Sequence, residues 1–380
     1  MSDVDPLGGL PHEADTAPRD RRSAEVRAAE ERHRPPAPTT VALLAVIGVL
    51  FLAEVWLGRG LDPDPVALFR LGSLSAAAVR DGDWWRLGSY AFLHAGPVHL
   101  LFNAYALWIL MRPIEGLFGP VVALGLFAAT AIAGGEASIV ASTLRGYPWQ
   151  QAVGASGGIF GLFGAHVALY WRLRHRLAPD ARRAAARTLL FNLLINLALA
   201  IGAQAANFPL DNAAHAGGFF SGILLGLLAP SPVLPERPWG RFALYLLVGA
   251  SFALAGMEGA AIARAVNPHP RALRAPGVEA SVPWDLVPGP DGHAQSADGI
   301  HVLLGHSEAI LEHGHELDLG GRTWSKVVAE NPARNPTVVL RAVGGPEQLT
   351  VEAWCLDDDC TDARRDGLAE LVAAKVRPAP

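Results

Sequence analysis

Two residues of the sequence, Ser156 and His215, have side chains that together could perform nucleophilic catalysis. Ser156 stands in a Gly-Ala-Ser-Gly-Gly segment, and His215 stands in an Ala-His-Ala-Gly-Gly segment. A histidine within hydrogen-bonding distance of a serine can accept the hydroxyl proton and activate the oxygen as a nucleophile. Neither segment is specific by itself, because serine is common in glycine-rich turns and a histidine can extend its polar ring from an apolar helix towards water. The pairing is therefore a hypothesis that the rest of the sequence must support.

A second pair of polar residues could stabilise the negative charge that such a reaction creates. His99 and Asn103 are four positions apart, so both would project from one face of a helix. Their ring and amide N–H groups, together with the backbone N–H of Ser156, could donate hydrogen bonds to the oxyanion of a tetrahedral intermediate. Asn103 could alternatively make a packing contact between helices. No acidic residue is obviously placed to complete a triad, so the sequence favours a Ser-His dyad.

The elements that would position these residues are apolar. Of the 380 residues, 51% are hydrophobic, and the mean hydropathy is +0.25. The apolar residues form long runs, and a bilayer core of about 30 Å needs roughly 20 of them per helix. Buried helices of a large soluble protein are the alternative, but several runs space glycine and alanine as packed membrane helices do. The predicted fold is an all-α polytopic membrane protein with seven transmembrane segments, at 40–57, 97–117, 120–143, 156–171, 189–206, 213–229 and 242–263.

The distribution of arginine predicts the orientation of these segments. Arginines precede the first segment and recur six times at 172–187, whereas the loop after the third segment contains only Arg145 and the loop after the fifth contains none. Cytoplasmic loops of membrane proteins collect lysine and arginine. The N-terminus is therefore expected in the cytoplasm, and the region after the seventh segment is expected outside it.

With this orientation the second, fourth and sixth segments run from outside to inside, and each has its polar candidates in its first turns. At about 1.5 Å of rise per residue, the serine, the asparagine and the two histidines would share one shallow depth. Small residues would let these helices approach closely. They form one stripe at Gly157 and Gly161 and another at Gly218, Gly222 and Gly226.

Several motifs occur in one order along the chain. They are Trp85-Arg86, His94, His99-Leu100-Leu101-Phe102-Asn103, Gly154-Ala155-Ser156-Gly157, and Ala214-His215 with Gly218 and Gly222. Taken together, these motifs resemble those of the rhomboid family of intramembrane proteases. The resemblance spans roughly residues 40–265.

The resemblance implies a core of six helices, with the seventh added to it, and an endopeptidase that cleaves transmembrane segments of other membrane proteins. By this resemblance Ser156 is the nucleophile, His215 is the base, and His99 and Asn103 are the oxyanion donors. The other implied roles are a ring stacked on the base (Phe160), a lateral substrate gate (Phe102), an anchor for a membrane-embedded loop (Trp85-Arg86), a structural acid (Glu115) and close backbone packing around the site (Gly154, Gly157, Gly218 and Gly222).

The implied partners are substrate transmembrane helices and the lipid bilayer, with no nucleic acid, metal or other cofactor. The expected location is a bacterial plasma membrane. The alternative is a catalytically inactive rhomboid-like protein that binds transmembrane clients. Inactive relatives usually lack the serine or the histidine, and this sequence has both.

Both ends of the chain lie outside the resemblance. Residues 1–38 are polar and rich in proline, arginine and glutamate, which predicts a disordered cytoplasmic tail. The membrane domain is expected at 39–265, followed by a soluble extracytoplasmic domain of unknown family at 266–380. A small α/β fold is predicted there. It would have strands at 337–341 and 349–354 and a helix at 361–376 that Thr361 would cap.

Some further polar residues have no assigned role. Cys355 and Cys360 could form a local disulfide outside the cytoplasm, while the three aspartates between them could bind a cation or face water. Four histidines lack zinc-motif spacing and are expected to be solvated; they are His301, His306, His313 and His315. Glu136 would be costly in lipid, so it is expected to face the protein interior.

Overall fold

The computed structural model of the chain describes residues 37–205, 210–231, 238–306, 314–331, 334–343, 349–355 and 361–378. The first 36 residues, which make up most of the predicted N-terminal tail, lie outside these ranges. In chain order the helices are α1 (Pro38–Gly58), α2 (Pro65–Leu71), α3 (Ala76–Arg80), α4 (Arg86–Ser89), α5 (Pro97–Phe118), α6 (Pro120–Leu144), α7 (Ser156–Leu173), α8 (Pro179–Ala205), α9 (Asn212–Leu228), α10 (Gly240–Val266) and α11 (Asp362–Ala374).

Each of the seven predicted apolar segments overlaps one long helix. By length and composition, three of the described helices could cross a membrane, namely α1, α6 and α10. The pair Arg86–Phe92 and Pro97–Phe118, bent by 95°, could form a fourth span. The described part of the chain thus contains three to four helical candidate membrane spans.

Helix α8 differs most from its predicted boundaries. It begins at Pro179, ten residues before the predicted start at 189. The first turns are charged, and Asp180 and Arg183 form an ion pair at 2.6 Å across one turn. A helix continues beyond its apolar run when such charged residues can face solvent, which the apolar pattern alone does not reveal.

A long first loop between α1 and α5 contains the short helices α2 to α4. Arg86 is buried within it and donates hydrogen bonds of 2.8 Å to the carbonyl oxygens of Phe69 and Ser73. Its guanidinium also pairs with Asp83 at 2.8 Å. Trp85 is buried beside it, while Trp84 is exposed. Arg86 therefore links separate turns of the loop to each other, a contact that fixes the loop's own conformation.

Glu115, near the end of α5, joins that helix to the start of α1. Its carboxylate accepts hydrogen bonds from the backbone N–H groups of Thr39 and Thr40, at 2.9 and 3.0 Å, and from the Thr40 hydroxyl at 2.7 Å. The first N–H groups of a helix lack intrahelical partners. Glu115, the structural acid that the family resemblance implied, thus belongs to α5 but caps α1.

The C-terminal region is built on two sheets, and all described strand pairs are antiparallel. The strands are β1 (Arg271–Ala275), β2 (Val278–Val282), β3 (Leu286–Pro288), β4 (His293–Ser296), β5 (Ile300–His306), β6 (His315–Leu319), β7 (Arg322–Asn331), β8 (Arg334–Ala342), β9 (Leu349–Cys355) and β10 (Val376–Pro378). One sheet has the order β1-β2-β10, and the other has the order β3-β4-β5-β9-β8-β7-β6. The predicted strands lie within β8 and β9, and Thr361 caps α11 as predicted by accepting from the Arg364 N–H.

Two expectations about polar residues are wrong. Glu136 is exposed, because the buried face of α6 is formed by its neighbours Gly134, Gly135 and Ser138. His301 is 8% exposed and lies between aromatic rings in the sheet, whereas His315 is exposed as expected.

Other predictions for this region concern residues that lie outside the described ranges. His313 lies outside the described residues, as does the side chain of His306. Cys355 is disulfide-bonded, and Cys360, the other cysteine of the sequence, also lies outside the described residues.

Candidate active site

Ser156 and His215 meet at the ends of two helices. Ser156 is the first residue of α7, and His215 is in the first turn of α9. The distance between Ser156 Oγ and His215 Nε2 is 2.9 Å, a hydrogen bond of ordinary length. Both side chains are partly exposed. Among the described residues, Ser156 is the hydrogen-bond partner of the His215 ring.

The backbones of α7 and α9 are in contact because glycines face each other along both helices. A Cβ atom added at Gly218 would lie 2.0 Å from the carbonyl oxygen of Gly157. One added at Gly222 would lie 2.0 Å from the carbonyl oxygen of Gly161. Cβ atoms do not approach oxygen so closely, so any side chain at these positions would force the helices apart. The close approach brings the first turns of α7 and α9, and hence the serine and the histidine, together.

Phe160 fixes the plane of the His215 ring. It lies one turn after Ser156 on α7, and its ring stacks on the imidazole with a centroid distance of 4.2 Å and an interplanar angle of 13°. An offset or stacked aromatic contact of this kind restricts rotation of the smaller ring. The same helix thus supplies the hydroxyl and the surface that orients its partner.

His99 lies next to the loop that leads into Ser156. Gly154 has a φ of +126°, and a Cβ atom there would lie 2.9 Å from His99 Nε2, so this position requires glycine both for its conformation and for its contact. The Nδ1 atom of His99 accepts a long hydrogen bond of 3.4 Å from the Ala95 N–H. In that tautomer the proton is on Nε2, the nitrogen that faces the serine loop.

Asn103 and Phe102 differ in their surroundings although they are neighbours in α5. Asn103 is 7% exposed, and its amide donates to the carbonyl oxygen of His99 at 3.1 Å. One of its two amide hydrogens is therefore committed to its own helix. Phe102 is 72% exposed on the outer surface of the helices.

The first turn of α7 presents backbone N–H groups that have no partner within their own helix. Its N-cap residue, Ala155, makes no side-chain cap hydrogen bond. The first N–H groups of a helix point along the axis towards its N-terminus and create a positive potential there. The arrangement offers a hydroxyl, a base in contact with it, and donors for a developing negative charge. These are the parts that acyl transfer requires.

Three polar residues that support the site were not anticipated. Asp211 caps α9 by accepting from the Ala214 N–H at 2.9 Å, and Ser138 of α6 donates to the same carboxylate. Glu54 of α1 accepts at 2.9 Å from the N–H of His94, whose ring makes an edge contact with His99 at 5.1 Å. The sequence contains a signal for two of these residues. Asp211 precedes Asn212 and an apolar run, which is a helix-capping pattern. Glu54 is an acid within an apolar segment, which is typical of a residue that faces the protein interior.

Comparisons with known proteins agree on one family for the membrane part of the chain. The family model described as the rhomboid domain matches residues 81–232. The rhomboid protease GluP of Bacillus subtilis (strain 168) is 33% identical over 196 residues, which are 50% of this chain and 35% of that protein.

Two further relatives give the same result. The putative rhomboid protease YdcA, also of Bacillus subtilis (strain 168), is 31% identical over 192 residues, 50% of this chain and 88% of that protein. RHOMBOID-like protein 5 of Arabidopsis thaliana is 30% identical over 186 residues, 49% of this chain and 57% of that protein. The chain thus spans about a third of GluP and just over half of the plant protein, but most of YdcA.

Proposed function

This chain belongs to the rhomboid family, and from that premise we propose that it is an intramembrane serine endopeptidase with Ser156 as nucleophile and His215 as general base. Its substrates are transmembrane segments of other membrane proteins. The observation that carries the proposal is the 2.9 Å contact between Ser156 Oγ and His215 Nε2 at the N-terminal ends of two helices. The family assignment and the protease names of the relatives support it.

The chemistry follows from this pair. Ser156 Oγ attacks the carbonyl carbon of the scissile bond while His215 Nε2 accepts the hydroxyl proton, which gives a tetrahedral intermediate. Collapse of the intermediate transfers that proton to the leaving amine and leaves an acyl ester on Ser156. Water, deprotonated by the same histidine, then hydrolyses the ester and regenerates the serine hydroxyl.

The oxyanion of the intermediate requires donors on the side opposite to His215. His99 supplies Nε2–H, Ser156 supplies its backbone N–H, and Asn103 supplies the amide hydrogen that is not bonded to the His99 carbonyl. The contact between His99 and Gly154 supports this assignment, because it brings the ring to the loop from which Ser156 projects.

The membrane arrangement is part of the proposal. The rhomboid core comprises the six long helices α1 and α5 to α9, α10 is a seventh span, and residues 266–380 form a separate domain. The N-terminus lies in the cytoplasm and the C-terminus outside it, in a bacterial plasma membrane. Phe102, exposed on the outer surface of α5, is the residue that a substrate helix meets on its way to Ser156.

Cleavage of a single-pass model substrate in detergent tests the proposal directly. Replacing Ser156 or His215 with alanine is expected to lower kcat at least about a thousandfold, because either residue is needed for the acyl transfer. Ser221→Ala is the matched control, since among the described residues its hydroxyl donates to the Gly217 and Gly218 carbonyl oxygens of its own helix. Cleavage by Ser156→Ala at the wild-type rate would contradict the assignment.

Labelling with a fluorophosphonate distinguishes the protease from an inactive relative that only binds transmembrane clients. A reactive serine forms a covalent phosphonate ester, and the label is expected on wild type and on Ser221→Ala but not on Ser156→Ala. If wild-type protein in lipid stays unlabelled and cleaves no substrate, the binding protein is the better description.

A further inference from the structure

The C-terminal domain lies against the loop that precedes the nucleophile. That loop, residues 145–155, connects α6 to α7. Two of its side chains, Trp149 and Gln151, contact the C-terminal domain, and they are two positions apart. Trp149 lies in a turn that the Gln150 N–H closes by donating to the carbonyl oxygen of Tyr147 at 3.1 Å, and Gln151 follows this turn.

Trp149 packs against the edge of the larger sheet. Its indole N–H donates to the carbonyl oxygen of Val287 in β3 at 3.3 Å. Its ring meets the ring of His293 edge to face at 4.9 Å. The close fit extends to Gly289, where an added Cβ atom would lie 2.8 Å from the indole.

Gln151 joins the domain to the first loop of the membrane part. Its amide N–H donates to the carbonyl oxygen of Ala297, which follows β4, at 2.8 Å. Its amide oxygen accepts from the hydroxyl of Ser73 at 2.6 Å. A single side chain thus bonds with two regions that are far apart in the sequence, and both ends of its amide are used.

The chain continues from Gln151 to Ser156 through backbone contacts with the first loop. Ala152 and Leu74 exchange two hydrogen bonds of 2.9 Å each. The N–H of Gly154 donates to the carbonyl oxygen of Tyr90 at 2.9 Å, and Gly154 packs on His99. Three residues of backbone therefore connect Gln151 to Gly154, which contacts His99, so a displacement of Gln151 is expected to move the loop next to the oxyanion donors.

Other contacts hold the domain on the same surface. Phe69 and Trp284 stack at a centroid distance of 6.1 Å, and Val287 is buried with Phe69 in one apolar cluster. Arg271 forms ion pairs with Asp81 and Asp83 of the first loop, and its side chain is 11% exposed. Apolar and charged contacts at separate points oppose rotation as well as dissociation of the domain.

We propose that the C-terminal domain is required for full activity of the proteolytic site, because its contacts with Trp149 and Gln151 hold the 145–155 loop in place. The inference rests on the proposed function, because it assigns the two side chains a positioning role for Ser156 and its oxyanion donors. Catalytic groups must be held within fractions of an ångström of their reactive geometry, and a surface loop is intrinsically mobile. Contacts with the C-terminal domain, which lies outside the membrane helices, restrict the mobility of this loop.

Gln151→Glu is the sharpest test, carried out in the full-length protein. The change keeps an oxygen that accepts from Ser73 and replaces the donor to the Ala297 carbonyl with a second oxygen. Loss of that bond is expected to lower kcat and the rate of fluorophosphonate labelling roughly three- to tenfold, with KM nearly unchanged. Gln150→Glu is the matched control, because Gln150 is exposed and undergoes the same chemical change one residue away.

Trp149→Phe provides a second, independent variant. It keeps an aromatic ring at this position and removes the indole N–H that binds Val287, together with part of the ring surface that packs near Gly289. A smaller decrease in the same direction is expected, while Trp56→Phe, at an exposed position of α1, leaves the rates unchanged. Thermal unfolding in detergent, measured on all variants, identifies any that fail to fold.

Hydrogen exchange separates this inference from the proposed function. Exchange of the Ala152 and Gly154 amide protons is expected to accelerate in Gln151→Glu and not in Gln150→Glu, whether or not the protein is a protease. If the wild-type protein does not react with the fluorophosphonate but exchange still accelerates in Gln151→Glu, the proposed function is wrong, while the inference that the domain holds the loop is supported. If exchange and labelling of both loop variants equal those of wild type, the inference is overturned.

Discussion

The base of the proposed dyad is oriented by packing against an aromatic ring, that of Phe160. Asp211 caps the helix before His215, and no carboxylate bonds to the imidazole among the described residues. In a triad an acid holds the ring in place. Here the stacked ring of Phe160 lies over the imidazole, and the serine hydroxyl binds its edge. Packing on one face thus takes over part of the orienting role of an acid.

Phe160→Ala is therefore expected to lower kcat by roughly threefold to tenfold, since a stacked aromatic contact contributes about 0.5–1.5 kcal/mol. The fraction of His215 rings in the reactive orientation falls, while substrate binding is little affected. The measurement is kcat and KM for a model substrate in detergent. Phe252→Ala, at an exposed position of α10, should behave as wild type, and equal kcat values for the two variants would argue against the orienting role.

At the scale of elements, the site depends on how closely three helices approach one another. Gly134 of α6, Gly157 of α7 and the backbone of Ala214 in α9 meet at one point, where a Cβ on Gly134 would lie 2.9 Å from the Ala214 carbonyl oxygen. Interiors packed at this density leave no room for an added methyl group. The distance between serine and histidine is thus set by backbone contacts at the residues next to them, Gly157 and Ala214.

Gly222→Ala tests this dependence without touching a reacting group. The added Cβ would lie 2.0 Å from the Gly161 carbonyl oxygen, so α7 and α9 must separate. We expect a destabilisation of about 1–3 kcal/mol and a loss of most cleavage activity. Gly256→Ala in α10, where an added Cβ has nothing within 4 Å, should leave both quantities unchanged. Thermal unfolding and cleavage rates measure them, and a fully active, equally stable Gly222→Ala would exclude the proposed packing constraint.

At the scale of the whole molecule, the C-terminal domain and the proposed site share one side of the helices. The domain follows α10 directly, and its strand β1 reaches the first loop through Arg271. The proposed orientation places this side outside the cytoplasm, where Cys355 can be held in a disulfide. Catalysis would then occur near the outer face of the membrane.

Protease protection in spheroplasts checks this orientation. An epitope tag at the C-terminus is expected to be digested by externally added protease, because the domain would be exposed at the outer surface. A tag at the N-terminus should be digested only after the membrane is permeabilised. The opposite pattern would place the site at the cytoplasmic face and would require a new account of the arginine distribution.

The sequence by itself determined the local features of the protein. Apolar runs located the long helices to within a few residues, apart from the start of α8, because burial of a helix in lipid depends on composition. Residue types and motif order were sufficient to single out Ser156, His215, His99 and Asn103. In the C-terminal region the alternation at β8 and β9 was readable, but most of the ten described strands were not, since short strands have weak local signals.

Only the tertiary structure decided which of these residues meet and what else surrounds them. The contact between Ser156 and His215 joins positions 59 residues apart, and it exists because glycines on two helices face each other. The exposure of Glu136, the burial of His301 and the capping by Glu115 and Asp211 likewise depend on neighbours from other elements. So does the attachment of the C-terminal domain to Trp149 and Gln151. These contacts join residues that are far apart in the sequence, so no pattern within a short sequence window can predict them.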